Sequence, residues 1–365
     1  MPPGEDTRSR PTLYLHIGAP KTGTSAIQAF LTLNRDAFLA ATGIYYPESR
    51  SDARVLKGKP TAGNGAKIAK LLRSKRRDAF DQAIALTEAE LGRGRERLLL
   101  SSEGFWSIPD DAMEAFLARA SPLADVRFLF YARPQVKHVE SAYLQVLGNR
   151  GFDGDIAAYF ETVRPKFFVG SKLERLTALA GAGKVTARKY DRKSLVGGDV
   201  IDDFVDVFGT RFGDAFQRPQ EVNSSLDAEH YLYARAASGS GGGAGAGKAK
   251  RAMRGLAGDP VLASLYADAQ AISGLRIMDP DTARRIASTY EADNDLLDRL
   301  APEAGFDFNA ENSRAVEALE AADAPAQGLT RLELLLLNRL AQLEVQVAQL
   351  SGAADPAGEA DDDDD

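Results

Sequence analysis

Residues 16–25 read His-Ile-Gly-Ala-Pro-Lys-Thr-Gly-Thr-Ser, and no other stretch narrows so sharply the folds this chain can adopt. Leu13 to Ile17, just before Gly18, form the apolar run of a buried strand, and Ser25 to Leu39 repeats Ile27, Phe30, Leu31 and Phe38 at helical spacing. Strand, tight glycine loop and helix in that order create a concavity. Successive backbone N–H groups point into it, with the positive end of the helix dipole behind them. Such a concavity binds an anion, and it belongs at the carboxyl edge of a parallel sheet. Thr22, Thr24 and Ser25 add hydroxyl donors, and Lys21 adds a cation.

Gly18 and Gly23 have the separation found in G-x-x-x-x-G-K-[ST], but Thr24 stands where that motif places its lysine, which here lies inside the loop as Lys21. A lysine so displaced is suited to hold charge developing on a bridging oxygen, with no need to clamp a β,γ-phosphate pair. A second signature follows the strand Val126 to Ala132: Arg133, then Pro134 at a first helical position, then a helix ending near Gly148 as its cap, with Ser141 eight residues after Arg133. Helical periodicity sets Val136, Val139, Tyr143, Val146 and Leu147 on one face, with Lys137, His138, Ser141 and Gln145 on the other.

The string Pro20 to Ser25 resembles the 5'-phosphosulfate-binding loop of sulfotransferases that use 3'-phosphoadenylyl sulfate (PAPS). The Arg133 and Ser141 spacing is similar to the pair with which that family grips the 3'-phosphate. Two short motifs carry the resemblance, which spans roughly residues 11 to 310. It implies a P-loop-like α/β fold and PAPS as cosubstrate, with Lys21, Thr22, Gly23, Thr24 and Ser25 on the phosphosulfate and Arg133 and Ser141 on the 3'-phosphate. It also implies a hydroxyl acceptor, a carbohydrate or glycan, and no metal, because loop and lysine supply the positive charge.

Arg97 to Ser101 is the next buried strand, and Ser102-Glu103-Gly104 follows at its carboxyl end, where open α/β sheets place ligand-contacting residues. Glu103 is therefore the first candidate for the base that takes the acceptor's hydroxyl proton. The same residue would otherwise cap a helix beginning near Pro109 or pair with Arg133. His16 ranks second as base, although its strand position also fits a packed, hydrogen-bonded residue, and His138 lies nearer the adenosine end. Gly43 to Pro47 is a short extended piece leading into a long polar loop, Glu48 to Ala66. In the family this interval contributes to acceptor binding, which makes Asn64 and Lys67 candidates. Helices at Ala66–Leu72 and Arg77–Leu91, a strand at Lys184–Lys189 and a helix at Val200–Phe208 complete an alternation that predicts a doubly wound parallel sheet flanked by helices. Arg188 and Tyr190 are assigned first to the scaffold, and Asn223-Ser224-Ser225-Leu226 resembles a segment that the family carries after this point.

The chain's 365 residues fit one large domain with extensions. We expect a disordered 1–10, a core over 11–235, a flexible glycine-rich loop over 236–250, helical completion over 251–310 (with helices near Val261–Ile272 and Asp281–Ala301) and a linker over 311–328. A C-terminal helix over 329–350 and an acidic disordered tail over 351–365 follow. In that helix Leu329, Leu336, Leu340, Leu343, Val347 and Leu350 follow 3-4 spacing, broken only where Glu333 occupies one seam position, which fits either a homodimeric coiled coil or packing back onto the domain. The chain has no cysteine, its three histidines are scattered, and no run approaches the roughly twenty apolar residues of a membrane span. The opening residues lack a signal-peptide pattern, so a cytoplasmic, bacterial enzyme is expected. The net charge of -7 hides a basic stretch, Lys57, Lys59, Lys67, Lys70, Arg73, Lys75, Arg76 and Arg77, which is either a solvated helix face or a channel for an anionic acceptor. The overall charge balance and the lack of interleaved aromatics argue against nucleic acid. Two alternatives stay open: a P-loop kinase with a relocated lysine, which requires magnesium and an aspartate at a strand end, and a nucleotide-binding interaction protein without turnover.

Overall fold

The computed structural model describes residues 10–19, 21–59, 61–150, 152, 154–219 and 277–321. The glycine-rich 236–250, the Asn223–Leu226 segment, the Val261–Ile272 helix, the helix over 329–350 and the acidic tail lie outside them.

Four strands form one parallel sheet: β1 (Thr12–Ile17), β2 (Arg97–Ser102), β3 (Asp125–Ala132) and β4 (Val185–Lys189), in the order β2-β1-β3-β4. The apolar runs of these strands are continuous because both faces are buried, as parallel sheets require. Leu13, Leu15 and Ile17 pack with Leu98, Leu100, Phe128 and Phe130 on one face, while Leu99, Leu129 and Tyr131 pack on the other. The first face is covered by α4 (Ala66–Leu72), α5 (Ala79–Leu91), α6 (Asp110–Ala120) and α9 (Val169–Ala180), and the second by α1 (Thr24–Leu33), α2 (Arg35–Thr42) and α10 (Val200–Val207). This is the doubly wound α/β architecture expected from the sequence.

β1 and β3 are neighbours, yet the chain leaves β1 toward β2 and leaves β3 toward β4. Their carboxyl ends therefore flank a topological switch point, the crevice in which open α/β sheets bind ligands.

Several expectations change in detail. The helix expected over Ser25–Leu39 is two helices, broken at Asn34. Asn34 donates its amide to the carbonyls of Phe30 and Gln217 and accepts from the Gln217 N–H, so its side chain competes with the helical ladder. The extended piece at Gly43–Pro47 pairs through Tyr45 with the outer edge of β2. The helix after Arg133, α7 (Gln135–Arg150), runs past Gly148, which is therefore not its cap. Residues 311–321, expected as linker, are helical: Phe308–Ala321 follows the long helix Pro280–Leu300.

The described residues fall into two compact units. Of the described residues, the first takes 10–19, 21–59, 61–138, 163–219 and 285–314, and it holds the sheet. The second takes 139–150, 152, 154–162, 277–284 and 315–321. In the second, Phe152 packs edge to face on both Tyr143 and Tyr159, the two tyrosine rings are tilted at 43° to each other, and the Tyr143 hydroxyl donates to the Gly154 carbonyl at 2.9 Å.

Candidate active site

The loop after β1 is built on backbone conformations that few residues tolerate. Gly23, the residue before α1, has φ 77°, and a Cβ there would lie 2.9 Å from both the Tyr190 ring and Val200. Only glycine fits both the left-handed turn and the close approach. Lys21 is left-handed too, at φ 64°; among the described residues only Asp307 is another non-glycine with positive φ. A lysine held there carries strain of order 1–3 kcal/mol, and such strain clusters at functional sites. Gly18 closes the loop from behind, where a Cβ would come within 2.2 Å of Thr24 Oγ1. Helix α1 has no acid in its first turn, so nothing within the helix neutralises its positive end.

The hydroxyls are fewer than the sequence promises. Thr22 is buried and donates its hydroxyl to the Ala19 carbonyl at 2.7 Å, so its side chain braces the loop from within. Thr24 is buried under Gly18. Ser25 alone stands half-exposed, leaving the backbone N–H groups and one hydroxyl as donors.

Glu103 begins a 3-10 turn, Glu103–Ser107, directly after β2. Ser102 caps that turn by accepting the Gly104 N–H at 3.1 Å, so Glu103 is left free of a capping role toward α6. Burial raises the Glu103 carboxyl above its ordinary value, and the nearby Lys21 ammonium partly offsets this. Burial lowers Lys21 from its ordinary value; Glu103 opposes that shift, and Arg133 adds to it. The electrostatic partner of Glu103 is thus Lys21, rather than the Arg133 weighed from the sequence. Residues that follow the carboxyl ends of β1, β2 and β3 share one field, in which the Lys21 ammonium feels both the Glu103 carboxylate and the Arg133 guanidinium.

Arg133 is half-buried ahead of α7, and the start of that helix is held by an amide network. Gln135, fully buried, donates to Asn294 at 2.7 Å and accepts from Asn312 at 2.9 Å, while Asn312 accepts the Val136 N–H at 3.2 Å. Ser141 is half-exposed on α7 and belongs to the second unit, so its partnership with Arg133 remains an inference from spacing.

Both histidines leave the candidate list for the base. His16 is buried beside Tyr131 and Phe204, its Nδ1 shares a 2.8 Å hydrogen bond with Ser101 Oγ, and burial depresses it to about 3. His138 is buried against Phe167, with ring centroids 4.4 Å apart, which corrects its placement on the polar helix face. Periodicity misassigned it because α7 is packed on more than one side.

Asn64 changes role as well. Its amide donates to the Leu99 carbonyl at 3.0 Å and accepts the Ser101 N–H at 2.7 Å, continuing the ladder along the outer edge of β2 that Tyr45 begins. Such pairing protects an edge strand, so the Asn64 side chain is structural. Lys67 is exposed on α4. Arg188 pairs with the buried Asp203, and Tyr190 packs on Gly23, both consistent with scaffold.

Two residues near Glu103 escaped sequence reasoning. The Arg73 Nη2 lies 3.3 Å from where a Cβ on Gly104 would stand, and the Trp106 indole donates to the Lys166 carbonyl at 3.0 Å. Arg73 was visible only as part of a basic run; its seat beside Glu103 depends on how α4 packs, which no local pattern encodes. Among the described residues there is no group of three or more His, Cys, Asp or Glu side chains able to hold a metal, and no helix long and apolar enough to cross a membrane.

No family model matches the chain, and no curated protein matches it significantly. Among solved structures, it is similar to a sulfotransferase from Alicyclobacillus acidocaldarius, at 17% identity over 62% of this chain and 91% of that one, with a TM-score of 0.35. A likeness so slight carries no argument, and the functional reading rests on the residues of the site.

Proposed function

We propose that the chain is a sulfotransferase that moves a sulfuryl group from PAPS to an acceptor hydroxyl, a carbohydrate or glycan on the resemblance of its motifs. The observation that carries the reading is the placement of Lys21, held at φ 64° in the loop after β1, with Glu103 and Arg133 directly after the neighbouring strands β2 and β3 at the switch point of the sheet. The N–H groups of the Gly18–Ser25 loop and the Ser25 hydroxyl suit the 5'-phosphosulfate, since they offer donors at a helix start with no acid in its first turn. Arg133, with Ser141, would take the 3'-phosphate.

The chemistry follows from charge. As the acceptor oxygen bonds to sulfur, its proton passes to the Glu103 carboxylate. The bond from sulfur to the bridging phosphate oxygen breaks in line, and the charge left on that oxygen falls to Lys21. Burial suits both groups. A carboxylate lifted above its ordinary value is a better proton acceptor, and a partly desolvated ammonium interacts more strongly with a developing anion.

Transfer itself is the test. With PAPS labelled at sulfur and a panel of sugar hydroxyl acceptors, label is expected on an acceptor, with adenosine 3',5'-bisphosphate released and the rate unchanged by EDTA. Transfer of the ATP γ-phosphate in its place, with magnesium required, would make the protein a kinase.

A further inference from the structure

Two elements are fastened to the 3-10 turn that begins with Glu103, and both expose cations. Helix α4 lies against the turn: a Cβ on Gly104 would stand 2.9 Å from Ala69 Cβ, and one on Gly65 would stand 2.5 Å from the Phe105 ring. While Ile68, Leu71 and Leu72 are buried, Lys67, Lys70 and Arg73 are exposed at i, i+3 and i+6, sharing one side of the helix. On the second element, the turn Arg164–Phe167 is tied to Trp106 through the Lys166 carbonyl and to Tyr290 through the Arg164 carbonyl, at 3.0 and 2.7 Å. Arg164 and Lys166 extend from it into solvent.

Among the described residues none of these five cations forms an ion pair. Of the acids that follow the turn, Asp110 pairs with Lys172 and Glu114 with Arg175, while Asp111 accepts the Ala112 N–H on α6. Lys21 and Arg133 add positive charge to the interior of the same site. In a chain of net charge -7, like charges carried without ion-pair partners on two elements fastened to one turn repel one another, and an incoming anion relieves that cost.

We infer that the acceptor is an anionic oligosaccharide, carrying carboxylate or sulfate groups on successive residues, and that Lys67, Lys70, Arg73 and Lys166 receive those groups while one hydroxyl reaches Glu103. This rests on the sulfotransferase reading and narrows it. Lys67, Lys70 and Arg73 span about 9 Å of helix and Lys166 lies on a separate turn, a spread that suits an acceptor whose charges repeat. A single-stranded nucleic acid offers repeated charges too. It needs exposed aromatic platforms, and the large apolar side chains exposed among the described residues are Leu56, Leu123, Val196 and Leu300, none of them aromatic.

The experiment titrates the full chain, with and without adenosine 3',5'-bisphosphate, against a uronic-acid hexasaccharide, a neutral glucose hexamer and oligo(dT). The anionic hexasaccharide is expected to bind roughly tenfold or more tighter than the neutral one, with affinity falling as salt rises. The triple variant Lys67→Glu, Lys70→Glu, Lys166→Glu should lose roughly tenfold or more for that hexasaccharide while keeping its bisphosphate affinity and unfolding midpoint. Arg73→Gln provides a milder variant that leaves the fold intact. Equal binding of the neutral hexamer, wild-type affinity in both variants, or tighter binding of oligo(dT) would overturn the inference. The bisphosphate arm separates the two readings. Hexasaccharide bound through these lysines by a protein that ignores the bisphosphate would remove the sulfotransferase and keep the cationic surface. Bisphosphate bound by a protein that prefers the neutral sugar would do the opposite.

Discussion

Glu103→Gln is expected to lower kcat by roughly a hundred- to ten-thousand-fold, because it removes the proton acceptor and leaves the size and polarity of the side chain almost unchanged. Nucleotide affinity should change little, since the role proposed for the carboxylate is toward the acceptor. The wild-type enzyme should lose activity toward acid at a pH above the ordinary carboxylate value of 4.5, because burial raises Glu103 and the base works only when ionised. Stability should move the opposite way. A carboxyl whose folded value is raised favours folding while both states are protonated, and that contribution is lost as pH rises through the folded value. At neutral pH the glutamine variant escapes this penalty, so its urea midpoint should be no lower than wild type, with the difference vanishing below pH about 4. A glutamine variant that turned over normally would exclude Glu103 as the base.

Lys21→Ala should cost roughly a hundred- to thousand-fold in kcat, the scale of losing one positioned charge from a developing oxyanion. Lys21→Gly separates the amine from the backbone. Glycine accepts φ 64° without strain, so this variant should fold at least as stably as wild type and still lose the rate. Were Lys21→Gly as active as wild type, the lysine would serve only the turn. Because Lys21 and Glu103 share a field, the double variant should cost less than the product of the two single losses. Steady-state kinetics and urea unfolding on the four proteins check both statements.

What the sequence made legible was whatever depends on local pattern. Leu13 to Ile17, Arg97 to Ser101 and Val126 to Ala132 read as strands because apolar runs of that length, followed by turn residues, have few other uses. Gly18 and Gly23 announced a tight loop because a side chain at either position meets Thr24, or Tyr190 and Val200. Residues whose meaning depends on a neighbour far along the chain were not legible. Asn64 read as an acceptor contact because nothing local shows that its amide completes the edge of β2, 35 residues away at Leu99. Thr22 and Thr24 read as donors, but the hydroxyl of Thr22 turns to Ala19 and Thr24 is covered by Gly18. His138 read as polar-face because helical periodicity assumes one wet side, and Phe167 covers that side. The helical stretch 311–321 read as linker because Val316 and Leu319 are its only large apolar residues; Asn312 instead secures it to Gln135.

The central claim is that this site grips a nucleotide phosphorylated at both the 3' and 5' positions, and calorimetric titration with adenosine 3',5'-bisphosphate tests it most directly. The account predicts saturable binding without magnesium, weakened in Arg133→Ala, and weaker binding of both adenosine 5'-monophosphate and magnesium ATP. Tight binding of magnesium ATP with none of the bisphosphate would contradict it.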